Sequence, residues 1–254
     1  MVGVAAGMSL TGSPVFASSY AIFLTRAFEQ IRNSVAYPKL DVKLVGTHAG
    51  ITVGADGATH QCCEDLALMR VLPNMTVISP CDVCETTQAV EIAATTPGPF
   101  YLRLSRYPAK HVFSEDRYKF VLGKGTVISE GSDAVIFATG IVVGEAVEAK
   151  QLLLANGINA AIVNISTIKP IDRELINRFS NCKYFFTVEE HSIIGGLGSA
   201  VSEVIAEDFT TPVKLTRIGM NDCFGVSGEA MELMDYFGLS ASGIAKRVCE
   251  VVKK

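Results

Sequence analysis

Short apolar runs alternate along this chain with longer segments in which apolar residues recur every three or four positions. The short runs are typical of buried strands, and the longer segments are typical of amphipathic helices. Elements of these lengths in alternation imply right-handed crossover connections, which produce parallel sheets flanked by helices. The sequence therefore predicts an α/β fold. The predicted strands are residues 15–18, 42–46, 75–79, 100–104, 134–138, 160–165, 184–188 and 213–218, and the predicted helices are residues 20–35, 64–71, 82–94, 143–156, 172–180, 197–206, 229–236 and 241–252.

The alternation is interrupted around residues 107–124, where the chain is polar and irregular, with Pro108 near the start. A change of this kind between two blocks of alternating elements is typical of a linker. We therefore expect two domains, each with a mainly parallel sheet flanked by helices. The first is predicted to span residues 1–112 and the second residues 125–254, with residues 113–124 as the linker.

Composition narrows the class of protein. Apolar residues make up 49% of the 254 positions and charged residues 19%, which is ample apolar material for buried cores. The formal net charge of -4 argues against a nucleic-acid surface, which is normally basic. Mean hydropathy is +0.34, yet no apolar run approaches the length of a membrane-spanning helix. Buried parallel strands and a large subunit interface explain this hydropathy better than a membrane.

The cysteines point to a reducing compartment. There are 7 of them without a regular framework, and the apolar N-terminus lacks the basic flank of a secretory signal. We therefore expect free thiols and a cytoplasmic location. The spacing Cys81-x-x-Cys84 invites a zinc or redox interpretation, but no second pair or histidine ligand accompanies it. The start of a helix after Pro80 is the simpler interpretation.

The strongest candidate for chemistry is the glycine-rich stretch at residues 47–61, which follows a predicted strand ending at Gly46. It places His48, Asp56 and His60 on one loop. Glycine costs backbone entropy and polar side chains bury poorly, so few folding arguments require this combination. The carboxyl ends of parallel strands are also where α/β proteins place ligands. The pattern therefore favours a binding or catalytic site.

The same stretch, Thr-His-Ala-Gly-Ile-Thr-Val-Gly-Ala-Asp-Gly-Ala-Thr-His-Gln, resembles the sugar-phosphate loop of transketolases and, more distantly, that of deoxyxylulose-phosphate synthases. The resemblance runs through nearly the whole chain. Val-Gly-Val-Ala-Ala-Gly-Met at residues 2–8 and Tyr-Leu-Arg-Leu-Ser-Arg at residues 101–106 are similar to the pyrimidine-binding domain of transketolases. Ile-Lys-Pro-Ile-Asp at residues 168–172 and the Val-Glu-Glu-His stretch at residues 188–198 are similar to their C-terminal domain.

This resemblance implies an enzyme that transfers a two-carbon ketol unit from a ketose phosphate to an aldose phosphate in the pentose phosphate pathway. Its cofactors would be thiamine diphosphate and magnesium. The match covers only the second half of a transketolase. The diphosphate-binding domain with its metal motif, the glutamate that activates the aminopyrimidine, and the first strand region of the pyrimidine-binding domain have no counterpart. We therefore expect no metal site here, no turnover by the chain alone, an N-terminal diphosphate-binding partner, and a homodimer formed through both domains.

By resemblance, Tyr20 and Phe23 form the aromatic platform that binds the aminopyrimidine of the cofactor. The two residues are three positions apart, so on a helix they would share one face. For an isolated aromatic pair, core packing would be the preferred interpretation, and the resemblance reverses that preference. Phe23 is the better candidate, because Tyr20 replaces a frequent phenylalanine.

Polar side chains of the same half are the expected contacts to the sugar phosphate. The resemblance assigns His48 and Arg106 to the substrate phosphate, and a guanidinium presents a planar fork of donors that suits this group. Strand alternation does not choose between Arg106 and Arg103, so only the motif selects Arg106. Asp56 is expected to accept a hydrogen bond from a sugar hydroxyl. His60 is the expected catalytic residue, because it would contact the donor's hydroxyls near the cleaved bond and move protons there.

Simpler structural interpretations stay open for several residues. His48 could be a loop histidine bonded to the backbone, and Asp56 could cap the next helix, a task that Thr59 could also perform. Glu189, Glu190 and His191 precede the glycine-rich residues 195–198 in a strand–loop–helix that could hold an anion at the helix N-terminus. In the family this domain carries no thiamine diphosphate, so packing and dimerisation is the better interpretation of that segment.

Two other classes of function compete with the transketolase interpretation. The first is a related thiamine enzyme, such as a 1-deoxyxylulose-5-phosphate synthase; the β subunit of a 2-oxoacid dehydrogenase ranks lower, because it lacks the Asp-Gly-Ala-Thr-His-Gln pattern. The second is a non-catalytic protein that keeps the fold and binds sugar phosphates or a protein partner. Calorimetry with a pentose phosphate, with and without an N-terminal partner, separates these classes.

Overall fold

Two five-stranded sheets organise the computed structural model, which describes residues 1–253. In the first sheet the strand order is β1-β2-β4-β3-β8, and in the second it is β10-β9-β6-β7-β5. Neighbouring strands pair in parallel except at β8 and β5, the antiparallel edge strands. This confirms the predicted α/β class. The strands are β1 (Val15–Tyr20), β2 (Val42–Thr47), β3 (Thr76–Ile78), β4 (Phe100–Arg103), β5 (Thr126–Ser129), β6 (Ala134–Thr139), β7 (Ala160–Asn164), β8 (Thr167–Lys169), β9 (Tyr184–Ser192) and β10 (Lys214–Met220).

Helices cover the faces of both sheets. Two irregular helical segments accompany them, a π-helical segment at Ile31–Ala36 and a 3₁₀ turn at Ile51–Asp56. The α-helices are α1 (Val2–Ser9), α2 (Ala21–Thr25), α3 (Phe28–Gln30), α4 (Asp65–Val71), α5 (Val83–Thr95), α6 (Val142–Ala155), α7 (Arg173–Asn177), α8 (Leu197–Asp208), α9 (Ala230–Tyr236) and α10 (Ala241–Val252).

The central strands of the second sheet are buried on both faces, as expected for parallel strands between two helical layers. Every residue of β6 is buried, and alternate positions face opposite layers. Phe137 packs in the cluster that includes Val201 of α8, whereas Ile136 packs in the cluster that includes Leu153 of α6 and Val248 of α10. Burying each such side chain contributes roughly 1.5–3 kcal/mol.

The two halves of the chain share a sheet. Strand β8, from the second half, pairs with β3 of the first half through Val77↔Lys169 and Ile78↔Thr167. The Lys169 ammonium also donates to the Arg70 carbonyl oxygen at 3.0 Å. No strand was predicted for this three-residue segment, because it is too short for a period to show. The boundaries at residues 112, 113–124 and 125 stay a prediction.

The predicted helix over residues 20–35 is wrong. Tyr20 is extended, at φ -56° and ψ 139°, and ends β1 instead of starting a helix. The helical path then breaks at Ala27, at φ -95° and ψ 20°, before α3 and the π-helical segment. A 3.6-residue apolar period does not distinguish one helix from several short ones that follow the same direction, so the sequence merged them.

Candidate active site

The histidine loop leaves the carboxyl end of β2, the second strand of the first sheet. His48 has φ +56° and Gly50 has φ +82°, so the chain turns sharply before the 3₁₀ turn at Ile51–Asp56 begins. In the parallel register Tyr20 of β1 lies opposite Thr47 of β2. Arg106 follows the end of β4, on the other side of β2. The residues predicted as site residues therefore come from adjacent strand ends.

Four rings of these segments form one cluster. The Tyr20 and His48 rings are stacked, with centroids 3.7 Å apart and an angle of 11° between planes. Tyr20 and Phe23 are also nearly parallel, at 5.6 Å and 13°. The His60 ring meets Phe23 edge-on at 5.7 Å and 81°. The structure thus brings together both aromatic residues and both histidines predicted from the sequence.

Phe23 is the exposed member of this cluster. Its side chain is 52% exposed although it is a large apolar group on an otherwise packed edge. Such an exposed ring, backed by a second parallel ring, offers a flat apolar surface for a planar heterocycle. Phe23 is therefore not a core residue.

Arg106 and Asp56 form the polar side of the site. Arg106 Nη1 donates to the Val53 carbonyl oxygen at 3.0 Å and lies 3.4 Å from Asp56 Oδ2. Both side chains are exposed, at 49% and 37%. Within residues 1–253 the guanidinium uses only Nη1 in these contacts, so its remaining donors are available to an anion.

The two histidines make similar hydrogen-bond contacts with the threonines that precede them. His48 Nδ1 lies 3.0 Å from Thr47 Oγ1, and His60 Nδ1 lies 3.0 Å from Thr59 Oγ1. Contact through Nδ1 leaves Nε2 as the nitrogen for a ligand. Partial burial, and then the positive charge of Arg106, lower the pKa of His48, with Asp56 acting in the opposite direction. This shift favours the neutral form of His48, and Arg106 supplies the positive charge.

Alternative interpretations of these residues do not fit the geometry. Arg103 is 4% exposed, with Nε 2.9 Å from Asp65 Oδ2, so it is not available to a substrate phosphate. Neither Asp56 nor Thr59 caps the next helix, because α4 begins after Glu64, without a side-chain cap bond. His48 contacts a hydroxyl and a ring.

The sequence reasoning missed a buried polar network beneath this site. The Tyr101 hydroxyl donates to Asp65 Oδ2 at 2.8 Å, and Arg103 Nη2 donates to the Glu190 carbonyl oxygen at 2.7 Å. Burial works against the charge of Arg103, but the Asp65 and Glu190 carboxylates outweigh it and raise its pKa. Residues from both halves of the chain meet in this network. Its only sequence signal was an arginine and a tyrosine inside an apolar strand.

The glycine-rich start of α8 is occupied by the chain itself. Glu189 Oε2 accepts from the Leu197 amide and Oε1 from the Gly198 amide, both at 2.7 Å. Burial raises the pKa of Glu189 to about 7, although these amides lower it. The interpretation of this helix N-terminus as a site for an external anion is therefore wrong, because a buried carboxylate of the chain fills the position. The prediction that this strand ends at Val188 is also wrong, because Glu189, Glu190 and His191 continue β9 to Ser192.

A segment of the second half covers the histidine loop. The Gln61 amide donates to the Val226 carbonyl oxygen at 2.9 Å, and a Cβ at Gly57 would lie 2.3 Å from Ser227 Oγ. A cavity of about 550 Å³ opens beside this contact, with Thr59 on one wall and Phe224 on the other. Nothing in the hydrophobic pattern indicated that this irregular segment would reach the loop.

Cys81 and Cys84 lie where α5 begins. Both are buried, and Asp82 between them caps the helix by accepting from the Glu85 amide at 2.9 Å. Burial raises the pKa of both thiols, which makes them unreactive. The pair marks a helix start, as predicted, and all seven cysteines are free.

The fold is that of a thiamine-enzyme scaffold, with stacked aromatic rings beside an exposed arginine at the carboxyl ends of parallel strands. The chain belongs to the transketolase family: it matches the transketolase pyrimidine binding domain over residues 1–110 and the transketolase C-terminal domain over residues 123–244. Among residues 1–253, no helix combines the length and the apolar character needed to cross a bilayer.

Relatives support the same assignment. A protein of Methanocaldococcus jannaschii, described as a transketolase C-terminal section, is 52% identical over 256 residues, covering 100% of this chain and 80% of that protein. The 6-deoxy-6-sulfo-D-fructose transketolase subunit SqwH of a Clostridium species is 41% identical, covering 100% and 79%. A solved split-gene transketolase, in an inactive β4 tetramer, superposes with a TM-score of 0.91 at 47% identity, covering 99% and 80%.

Proposed function

We propose that this chain is the C-terminal subunit of a two-subunit transketolase. The enzyme transfers a two-carbon ketol unit from a ketose phosphate to an aldose phosphate, in the pentose phosphate pathway of the cytoplasm. The observation that supports this most directly is the cluster of Tyr20, Phe23, His48 and His60 beside the exposed Arg106. Exposed aromatic rings suit a planar cofactor, and the neighbouring arginine suits a phosphorylated sugar.

The cofactor would be thiamine diphosphate, which when bound supplies the carbon nucleophile that cleaves a ketose beside its carbonyl group. Phe23 and Tyr20 would hold its aminopyrimidine, because their parallel rings leave one face exposed. We assign the diphosphate and magnesium to the N-terminal partner subunit. Among residues 1–253, no group of three or more histidine, cysteine or acidic side chains is arranged around a metal position.

The polar residues would bind and orient the sugar. Arg106 would bind the terminal phosphate through its unused donors, with neutral His48 contributing a hydrogen bond through Nε2. Asp56, beside Arg106, would accept from a sugar hydroxyl. His60 packs against the Phe23 ring in a T-shaped contact, so it would move protons at the hydroxyls nearest the cofactor ring.

The identity of the donor sugar is a separate question. One relative is named as a 6-deoxy-6-sulfo-D-fructose transketolase subunit, and that sugar carries a terminal sulfonate where a sugar phosphate carries a phosphate. A planar guanidinium binds either oxyanion, so Arg106 alone does not choose between them. We propose a ketose phosphate as the donor, and we also propose that copies of this chain associate with each other, as in the related split-gene tetramer.

The test is to assay this chain with and without an N-terminal diphosphate-binding subunit, in the presence of thiamine diphosphate and magnesium. We expect turnover of a ketose phosphate only when both subunits are present. His60→Ala should lower kcat/KM roughly 10²- to 10⁴-fold, because it removes a proton-transfer group. Phe23→Ala should also lower turnover, and it should do so by weakening binding of thiamine diphosphate. The matched control is Phe16→Ala, which removes another exposed aromatic ring near the far end of β1 and should leave turnover unchanged.

The same assay separates the competing functions. Turnover by this chain alone would contradict the two-subunit proposal. Turnover that requires pyruvate as donor would indicate a deoxyxylulose-phosphate synthase. Binding of a pentose phosphate by calorimetry, with no turnover in the complex, would indicate a non-catalytic sugar-phosphate-binding protein.

A further inference from the structure

We propose that Glu190 is a positioning residue for the phosphate grip, the name used here for Arg106 and His48. Through Glu190, the second half of the chain sets the affinity for the phosphorylated end of the sugar. The proposal rests on the proposed function, in which Arg106 binds that phosphate. Glu190 lies in β9 of the second sheet, and it is 1% exposed. It therefore contacts no substrate itself and acts only through the backbone that it holds.

The Glu190 side chain reaches across to the histidine loop. Its Oε1 atom accepts a hydrogen bond from the Thr52 amide at 2.6 Å. A Cβ at Gly50 would lie 2.3 Å from the same oxygen, so the absence of a side chain at Gly50 makes room for the carboxylate. The first turn of the 3₁₀ segment is thus seated on a buried acidic group from the other sheet.

The held segment is the one that orients Arg106. Val53, the next residue after Thr52, supplies the carbonyl oxygen that accepts from Arg106 Nη1 at 3.0 Å. The same turn ends at Asp56, whose carboxylate lies 3.4 Å from that nitrogen. Any movement of the turn away from Glu190 displaces both partners of the Arg106 guanidinium.

The backbone of Glu190 holds the other side of the grip. Its carbonyl oxygen accepts from Arg103 Nη2 at 2.7 Å, and Arg103 is the last residue of β4, three positions before Arg106. One residue of the second half therefore anchors both segments that meet at Arg106: the 3₁₀ turn through its carboxylate and the end of β4 through its carbonyl group.

The segment at residues 225–228 closes the turn from above. Val226 accepts from the Gln61 side chain, and a Cβ at Gly54 would lie 3.3 Å from the Gly228 carbonyl oxygen. The 3₁₀ turn is therefore held by Glu190 on one side and by this segment on another. A cavity of about 340 Å³, lined by Val53, Arg106 and Gly228, opens beside the turn, so the turn has room to move when the bond to Glu190 is removed.

The test measures binding of ribose 5-phosphate and of ribose to the two-subunit complex by calorimetry. Glu190→Ala should weaken ribose 5-phosphate binding roughly 10- to 100-fold, because displacing a binding group by about 1 Å costs up to this factor. Binding of ribose should change little. Glu190→Gln keeps an oxygen that accepts from Thr52, so it should restore most of the affinity.

Two further variants separate positioning from general stability. Glu190→Asp keeps the charge but withdraws the carboxylate by one methylene group, so it should also weaken phosphate binding. This variant provides the test if Glu190→Ala fails to fold. Lys169→Met removes another contact between the two halves, one that is partly buried and away from the histidine loop, and should lower the melting temperature without a selective loss of phosphate affinity.

The outcomes are distinguishable. If Arg106→Ala abolishes the preference for ribose 5-phosphate while Glu190→Ala and Glu190→Asp behave like Lys169→Met, the positioning role is overturned and the proposed function stands. If the unsubstituted complex shows no preference for the phosphorylated sugar, the phosphate grip itself is absent, and both proposals are overturned.

Discussion

Replacing Arg103 with methionine tests whether the buried polar network joins the two halves of the chain. The substitution keeps most of the aliphatic volume and removes the guanidinium. It leaves Asp65, which is fully buried, with only the Tyr101 hydroxyl as a side-chain partner, and the Glu190 carbonyl oxygen loses its donor. Arg103→Met thus isolates the contribution of the charged group.

The expected loss is large, because removing one member of a buried ion pair leaves an uncompensated charge. Such losses amount to about 3–5 kcal/mol. For a chain of this size each kcal/mol lowers Tm by about 2–4 °C, so the Tm should fall by roughly 6–20 °C. The measurement is urea unfolding together with a calorimetric melt. Arg247→Met is the matched control: Arg247 lies 3.3 Å from Glu250 on the surface, and its loss should cost less than about 0.5 kcal/mol.

A double-mutant cycle completes the test. Asp65→Leu combined with Arg103→Met removes both charges, so the pair should be more stable than the sum of the single losses predicts, by roughly 0.5–3 kcal/mol. A loss below about 1 kcal/mol for Arg103→Met, or strict additivity in the cycle, would refute the view that this network is buried and coupled.

Three other substitutions test separate features. Glu189→Gln tests the pH dependence of stability. The pKa of Glu189 in the folded chain, about 7, exceeds the ordinary 4.5. Glu189 therefore stabilises the fold fully below pH 4.5, and this contribution is lost as the pH rises through 7. Relative to the unsubstituted chain, Glu189→Gln should therefore gain stability between pH 5 and pH 8 in urea unfolding, and a constant difference would contradict this. Asp82→Ala removes the α5 cap and the acceptor of the Val112 and Phe113 amides, and should cost about 3 kcal/mol by the same method; a loss under about 1 kcal/mol would mean that water replaces these bonds. Gly50→Ala places a Cβ in a left-handed backbone against a buried carboxylate and should destabilise more than Gly98→Ala, which has φ +110° but open space, as a thermal melt will show.

The sequence predicted the sheet architecture because buried parallel strands leave continuous apolar runs. It failed where local pattern and tertiary contacts disagree. The run at residues 189–191 looks like a loop, yet it is buried in β9. Glu189 accepts from two α8 amides, and Glu190 Oε1 accepts from the Thr52 amide, whereas Glu190 Oε2 has no hydrogen-bond partner among residues 1–253. Partners so distant in sequence cannot be found from a local window.

The sequence predicted which residues belong to the candidate site, but it did not predict how they are arranged in space. The histidine loop and its resemblance identified Phe23, His48 and Arg106, and the strand order explains why they meet. The stacking of Tyr20 on His48 depended on Tyr20 ending a strand, which the helical period concealed. The hold of Glu190 on the loop depended on how the two sheets pack, for which one chain's pattern of apolar residues carries no signal.

The pairing of β8 with β3 has a consequence for biosynthesis. While the ribosome is still producing the second half, the four parallel strands of the first sheet are already available, and the outer side of β3 offers unpaired amide and carbonyl groups. An open edge of this kind attracts strands from other molecules. The outer side of β3 is therefore covered only when Thr167–Lys169 emerges, so a ribosome that stalls before this point should yield an aggregation-prone nascent chain.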